Sequence, residues 1–201
     1  MESRNPYAPP QAPVVAEPQA LSGDPAERPV GGFWLRVVAL ILDSLILAPL
    51  AILYFVLSMW SMKAALYFGL PSDLLGLWYY VYLVKRFGGT PGKRILGLRI
   101  VMADGREVTG QAAFLRYLPA FVFSVISSIA SMVGLSQLEA GVTADGFLDQ
   151  LRLLGSAQPA WAGIVTWIAQ AFWLATAITM LSNTRRRAIH DFIAGTAVVR
   201  D

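Results

Sequence analysis

The chain has 201 residues, 56% of them hydrophobic, with a mean hydropathy of +0.54. This excludes an ordinary soluble domain, in which the apolar share is nearer a half even with glycine counted, and the length suits one compact bundle rather than two domains. There is no cysteine, which excludes disulfides, thiolate metal sites and cysteine nucleophiles. The formal charge of +3 and pI near 9.4 do not indicate nucleic acid as a partner, because the basic residues cluster beside apolar stretches, where their common role is to set membrane topology.

Residues 1–32 hold seven of the twelve prolines, with Ala, Gln and Glu and no apolar periodicity, the composition of a disordered tail. The segment NPYAPPQAPVVAEP lacks the basic start and short apolar core of a cleaved signal peptide. Residues 33–57, FWLRVVALILDSLILAPLAILYFVL, form a first membrane span about 37 Å long at the helical rise. Arg36 lies near its start, and Asp43 follows two turns deeper on roughly the same face. Pro49 removes one helical hydrogen bond just past Asp43.

A second span is assigned to residues 66–84. Its start is unsettled, because Pro71, Ser72 and Asp73 read as a turn and cap that would break it. Trp78, Tyr79, Tyr80 and Tyr82 crowd its end. The polar section KRFGGTPGKRILGLRIVMADGREVTG follows, where alternating Leu98, Ile100 and Met102 lead to an Asp104–Gly105 turn, the pattern of a short cytoplasmic β-hairpin or extended arm. Residues 112–135 form a third span on which Ala120, Ser124, Ser127, Ser128, Ser131 and Gly134 make one small-residue face. A neighbouring helix, in this subunit or in a second copy, could approach closely there. An acidic loop with Glu139, Asp145 and Asp149 precedes a fourth span at residues 161–181. The chain then runs through three consecutive arginines and His190–Asp191 to a β-prone end.

Six Lys and Arg lie between Lys85 and Gly110 and four after Leu181, against one in each of the other two loops. The positive-inside rule then places both termini and the middle section in the cytoplasm. The expectation is an all-α, four-span helical bundle in the cytoplasmic membrane: a tail at 1–32, a membrane domain at 33–201 and a small cytoplasmic β element.

A carboxylate within the apolar region costs roughly 2.5–3.5 kcal/mol on insertion scales, so Asp43 should face the bundle interior, find a partner or take up a proton. Arg36 can snorkel to the headgroups. His190 could relay protons, but with no second His and no Cys a transition-metal site is not expected, nor is any cofactor. GGTPGKR fails as a phosphate loop because its spacing is wrong and Arg94 stands where Ser or Thr would bind magnesium. Lys93 and Arg94 read instead as a basic membrane-surface patch favoured by anionic lipids. No spacing supports a catalytic triad or paired-carboxylate site, and an enzyme is not expected.

Arg36 and Asp43, the block GTPGKRILGLRIVMADG, Arg116, and RRRAIHDFIAGTAVV together resemble the RDD family of small membrane proteins. That family is named for one arginine and two aspartates. The resemblance matches Arg36 and Asp43 to the first two, and Asp191, in preference to Asp104, to the third. It implies a membrane domain without a settled molecular function, for which transport of an undefined ligand, and cation/proton exchange in some members, has been suggested. Two readings follow. In one, an ion or small molecule is transported, with Asp43 as coupling group, Arg36 tuning it and Asp191 with His190 at the cytoplasmic mouth. In the other, the charges are a structural clasp in a non-transporting scaffold or regulator. A homo-oligomer is compatible with either, since a transport path inside one four-span subunit would be narrow.

Overall fold

The computed structural model describes residues 29–60, 62–137 and 146–200. Residues 1–28 of the expected tail, and Glu139 and Asp145 of the acidic loop, lie outside the described residues. Three helices are long and apolar enough to cross a membrane: α1 (Phe33–Trp60), α5 (Gly110–Ser136) and α7 (Ala160–Ser182). Their outward faces carry Trp34, Ile41, Leu45, Ile164, Trp167 and Leu174, all exposed, whereas Arg36, Asp43, Asp73 and Thr176 are buried. This inverts the soluble pattern: apolar side chains face outward, and the interior holds the few polar groups that apolar surroundings would leave unsolvated.

Between α1 and α5 the chain stays helical through three abutting pieces: α2 (Met62–Leu77), a π-helical turn (Trp78–Tyr82) and α3 (Leu83–Phe87). Leu77, Tyr82 and Leu83 at the junctions all keep right-handed helical angles. The break expected at Pro71–Asp73 does not occur. Pro71 is inside α2, and the Ser72 hydroxyl donates back to the Gly69 carbonyl at 2.6 Å. A helix interior tolerates proline where side chains and neighbouring helices satisfy the backbone groups it frees.

The β element also differs from a local hairpin. The Asp104–Gly105 turn is present, with Gly105 at φ 84° and the Arg106 N–H donated to Asp104, but it closes only a single bridge between Val101 and Glu107. The strand partner of β1 (Leu98–Met102) is the C-terminal β2 (Thr196–Arg200), antiparallel, with Ile100 opposite Val198. Residues 29–31, assigned to the tail by composition, run along the other edge of β2. The Gly31 N–H donates to the Val198 carbonyl and the Arg200 N–H to the Pro29 carbonyl, both at 2.9 Å. Alternating side chains reveal a strand, but pairing across about a hundred residues leaves no local mark.

The sheet covers the core that the helices leave open at this end. Leu98, Ile100 and Val198, none more than 1% exposed, pack with Ala39 of α1, Val84 of α3 and Ala112 and Ala113 of α5. The small-residue face of α5 is occupied within the chain: a side chain at Gly69 would press on Ser128, and one at Gly134 would overlap the Ala157 carbonyl. The acidic loop contains a short helix, α6 (Phe147–Ser156), on which exposed Asp149 pairs with Arg152. Truncating Leu98 to Ala leaves a cavity under the sheet and should cost about 2–5 kcal/mol. The expected outcome is a lower melting temperature in detergent with faster proteolysis of the β2 segment.

Candidate functional site

Two carboxylates organise the polar interior. Asp43, 1% exposed, hangs from α1 beside a short helix, α4 (Pro91–Ile95). The Tyr79 hydroxyl (2.8 Å) and the Gly92 N–H (2.7 Å) donate to its Oδ1, the Thr90 hydroxyl donates to Oδ2 at 2.6 Å, and Lys93 Nζ stands 3.8 Å from Oδ2. The local sequence explains the fit. Thr90 is extended at the N-cap, Pro91 starts the helix without needing an N–H, and Gly92 offers an otherwise orphan donor. A Cβ on Gly92 would overlap the Ala39 carbonyl and come within 2.8 Å of Asp43 Oδ1, so only glycine lets α4 approach this closely.

Asp191, with no exposed surface, is the third residue of α8 (Ile189–Ile193). Its Oδ2 accepts the Ala188 N–H at 2.9 Å, which is the carboxylate half of a capping box, and Arg36 Nη1 at 3.0 Å. Its Oδ1 faces Arg116 of α5 in a close ion pair and accepts from the Thr196 hydroxyl, which in turn accepts from Arg116 at 3.0 Å. Arg36 Nε donates to the Gly31 carbonyl at 2.9 Å. Arg187 completes the frame, donating to the carbonyls of Thr196 and Asp191 while its guanidinium lies 4.4 Å from the Phe192 ring centre. A buried carboxylate is costly unless paired and hydrogen-bonded, and both of these are.

Of the residues singled out by sequence, Arg36 and Asp191 meet directly, and His190 lies next to that pair. Lys93 departs from the surface-patch expectation: it turns in toward Asp43, while its neighbour Arg94 is exposed. Asp104 is at the exposed turn, paired with Arg106 at 2.6 Å, so of the two candidate aspartates Asp191 is the one that touches Arg36. Sequence reasoning left Tyr79, Thr90, Gly92 and Thr196 out of the site and used Arg116 only as part of a resemblance. Arg116 could have been weighed as Arg36 was, as a lone cation within an apolar stretch; Thr196 carries no such signal.

It also misplaced Asp73. Read as a turn residue, Asp73 is 5% exposed within α2, hydrogen-bonded to the Ser124 hydroxyl through Oδ1, while its buried Oδ2 has no partner among the described residues. It borders a cavity of about 400 Å³ walled by Ser72, Ser124, Ser127, Ser128 and Ser131. A second cavity, about 520 Å³, lies between α5 and α7 and shares Ser127 and Ser131 with the first. A third, about 380 Å³, reaches Lys93, Arg116 and His190 and shares Ser124 with it.

The electrostatics of the cap are set by crowded cations. Burial, then Arg116, lowers the Lys93 ammonium to about 8 against the opposing pull of Asp43. Burial, then Arg116, Lys93 and Arg36, pushes His190 well below the usual imidazole range, and its ring sits edge-on to Trp173.

A sequence profile of the RDD family matches residues 30–195, most of the chain. This chain belongs to the RDD family. Over 94 residues it is 37% identical to the uncharacterized protein YckC of Bacillus subtilis (strain 168), covering 44% of this chain and 58% of YckC. It therefore spans little more than half the length of that relative. No solved structure matches. The match takes in Arg36, Asp43 and Asp191 and begins where residues 30–31 join β2.

Two outcomes test this geometry in the RDD protein. Gly92→Ala should force α4 away from Asp43 and cost a few kcal/mol, about what breaking a buried ion pair costs, read as a lower melting temperature than for the neighbouring exposed substitution Arg94→Ala. His190 stays neutral in the fold and takes up a proton when unfolded. The unfolded state is then the better proton binder below about pH 6.5, and stability falls as pH drops through that value, by at most about 1.4 kcal/mol per unit. A melting series from pH 7.5 to 5 should fall less steeply for His190→Gln; equal slopes would remove the histidine from the explanation.

Proposed function

We propose that this RDD protein is a four-span transporter of the cytoplasmic membrane, in which a small solute or ion passes along the serine face of α5. Asp73 is its protonatable group, and Arg36, Asp43 and Asp191 form a clasp that holds the cap. The observation that carries this reading is the series of three cavities strung along one helix face, sharing first Ser127 and Ser131 and then Ser124.

Four crossings with both ends on one side are supported by the sheet. Residues 29–31 and β1 are each hydrogen-bonded to β2, which favours one side of the membrane for all three. On this reading the chain crosses an even number of times between Phe33 and Leu98, and again between Met102 and Thr196. α1 with the composite helix of Met62–Phe87, about 39 Å long, supplies the first pair, and α5 with α7 the second. The arginines and lysines flanking β1 and α8 favour the cytoplasm for that side.

The division of labour between the aspartates follows from their partners. Asp43 has two hydroxyls, one N–H and an ammonium around it, and losing any of them exposes a buried charge. Asp73 has one hydroxyl, an oxygen with no partner among the described residues, and a cavity in which serines stand among apolar side chains such as Leu47, Leu50 and Phe68, where a proton or an ion could be exchanged.

The test is proteoliposome flux, with an entrapped pH dye reading proton movement under an imposed gradient of sodium or of phosphate. Asp73→Asn should fold with near-normal yield and lose coupled proton movement. Asp43→Asn should lower yield and melting temperature, by about 3–5 kcal/mol if the pair is broken outright, and keep flux per folded molecule. Full coupled flux in Asp73→Asn would defeat the reading.

A further inference from the structure

The cavity of about 380 Å³ at the cap end has a wall of one electrostatic character. Lys93, Arg116 and His190 line it together with Tyr80, Tyr117 and Ser124, and no carboxylate lines it among the described residues. The cations of the wall are Lys93 and Arg116, with side chains no more than 17% exposed, and their carboxylate partners Asp43 and Asp191 contribute no atom to it. Asp73 lies on the other side of Ser124 and contributes no atom to this wall.

Hydrogen-bonding capacity is also left over. Arg36 Nη2 and His190 Nδ1 are buried without a partner among the described residues. Among the described residues, Lys93 hydrogen-bonds only to Thr90, at 3.3 Å, besides its 3.8 Å approach to Asp43. A wall whose charged groups are cations repels cations and favours an anion. At about 30 Å³ per water, the space would hold on the order of a dozen waters, more than a single ion needs.

We propose that this cavity binds an oxyanion of the phosphate type, held by Lys93 and Arg116 as charged donors, with Tyr80, Tyr117 and His190 as its neutral walls. Free inorganic phosphate and the headgroup of an anionic phospholipid offer this chemistry equally. Lys93 and Arg116 supply the short, charge-assisted hydrogen bonds that bind phosphate oxygens best. A basic pocket between membrane helices at the cytoplasmic end is also where headgroups are recognised. The site goes beyond the transport reading and holds whether or not anything crosses the bilayer.

The experiment uses the full chain purified in dodecyl maltoside, and the readout is the melting temperature. One arm titrates inorganic phosphate against chloride at matched ionic strength. The other compares mixed micelles of phosphatidylglycerol with micelles of phosphatidylcholine. At saturation a specific anion should raise the melting temperature on the order of 5 °C. A rise with phosphate alone identifies a soluble anion, a rise with phosphatidylglycerol alone identifies a lipid, and either supports the site. Lys93→Gln should weaken the response at least tenfold and Lys93→Arg should keep it. Because Lys93→Gln also strips Asp43 of its counter-ion, Ala120→Trp, which fills the cavity and replaces no charged residue, should abolish the response on its own. No rise with either probe, or a rise undiminished in Ala120→Trp, overturns the proposal.

Discussion

The interaction on which the rest depends is the buried meeting of Arg36, Arg116 and Asp191, because it joins three parts of the chain that nothing local would bring together. Arg36 enters with α1, Arg116 with α5, and Asp191 with the segment after α7. Outside water, no member of this group is stable alone. An unpaired guanidinium or carboxylate there costs several kcal/mol, so each makes the others' positions obligatory. The β1–β2 pairing and the strand-like run of residues 29–31 lie beside the same ion pairs, so the apolar core under the sheet and the charge cluster form one structural unit. Its specificity comes from the charges and most of its burial from Leu98, Ile100 and Val198.

Three interior aspartates illustrate how partner number separates roles. Asp191 is held by two arginines, a backbone N–H and a threonine, and Asp43 by two hydroxyls, an N–H and a lysine. Removing a carboxylate so enclosed would leave its donors facing one another without an acceptor. Asp73 has one serine and open volume. The charges most conspicuous in the linear chain are therefore the ones with the most partners in the fold, and the least conspicuous is the one with the fewest among the described residues.

Much of this was legible in the residues and some was not, for physical reasons. The long apolar stretches and their charge bias are statements about solvent, which composition records directly; the apolar outward faces of α1, α5 and α7 agree with it. The Arg36–Asp191 pair was approachable because lone charges in apolar sequence demand partners. The inward turn of Lys93 was not. On a five-residue helix, whether Lys93 or Arg94 faces in depends on the start of α4, which is set by Gly92 fitting under Ala39. Asp73 was missed because Pro-Ser-Asp is turn chemistry in water, whereas in apolar surroundings the backbone remains helical to keep its own hydrogen bonds. The β1–β2 pairing was hidden by distance along the chain, which also made a local hairpin the natural reading of Asp104–Gly105.

The π-helical turn connects the two halves of the molecule mechanically. An inserted residue shifts the phase of everything beyond it, and here it lets adjacent residues serve different sites. The Tyr79 hydroxyl bonds Asp43, while Tyr80 stacks on Tyr117 with ring centres 5.1 Å apart and lines the cationic cavity. The stack reaches α5 one residue after Arg116 and two turns before Ser124. Consecutive residues on one backbone cannot move independently, so the clasp at Asp43 and the wall of the cavity share a rigid element. A movement of α1 that draws Asp43 away from the Tyr79 hydroxyl acts on the same turn that carries Tyr80 and its stack on Tyr117 of α5.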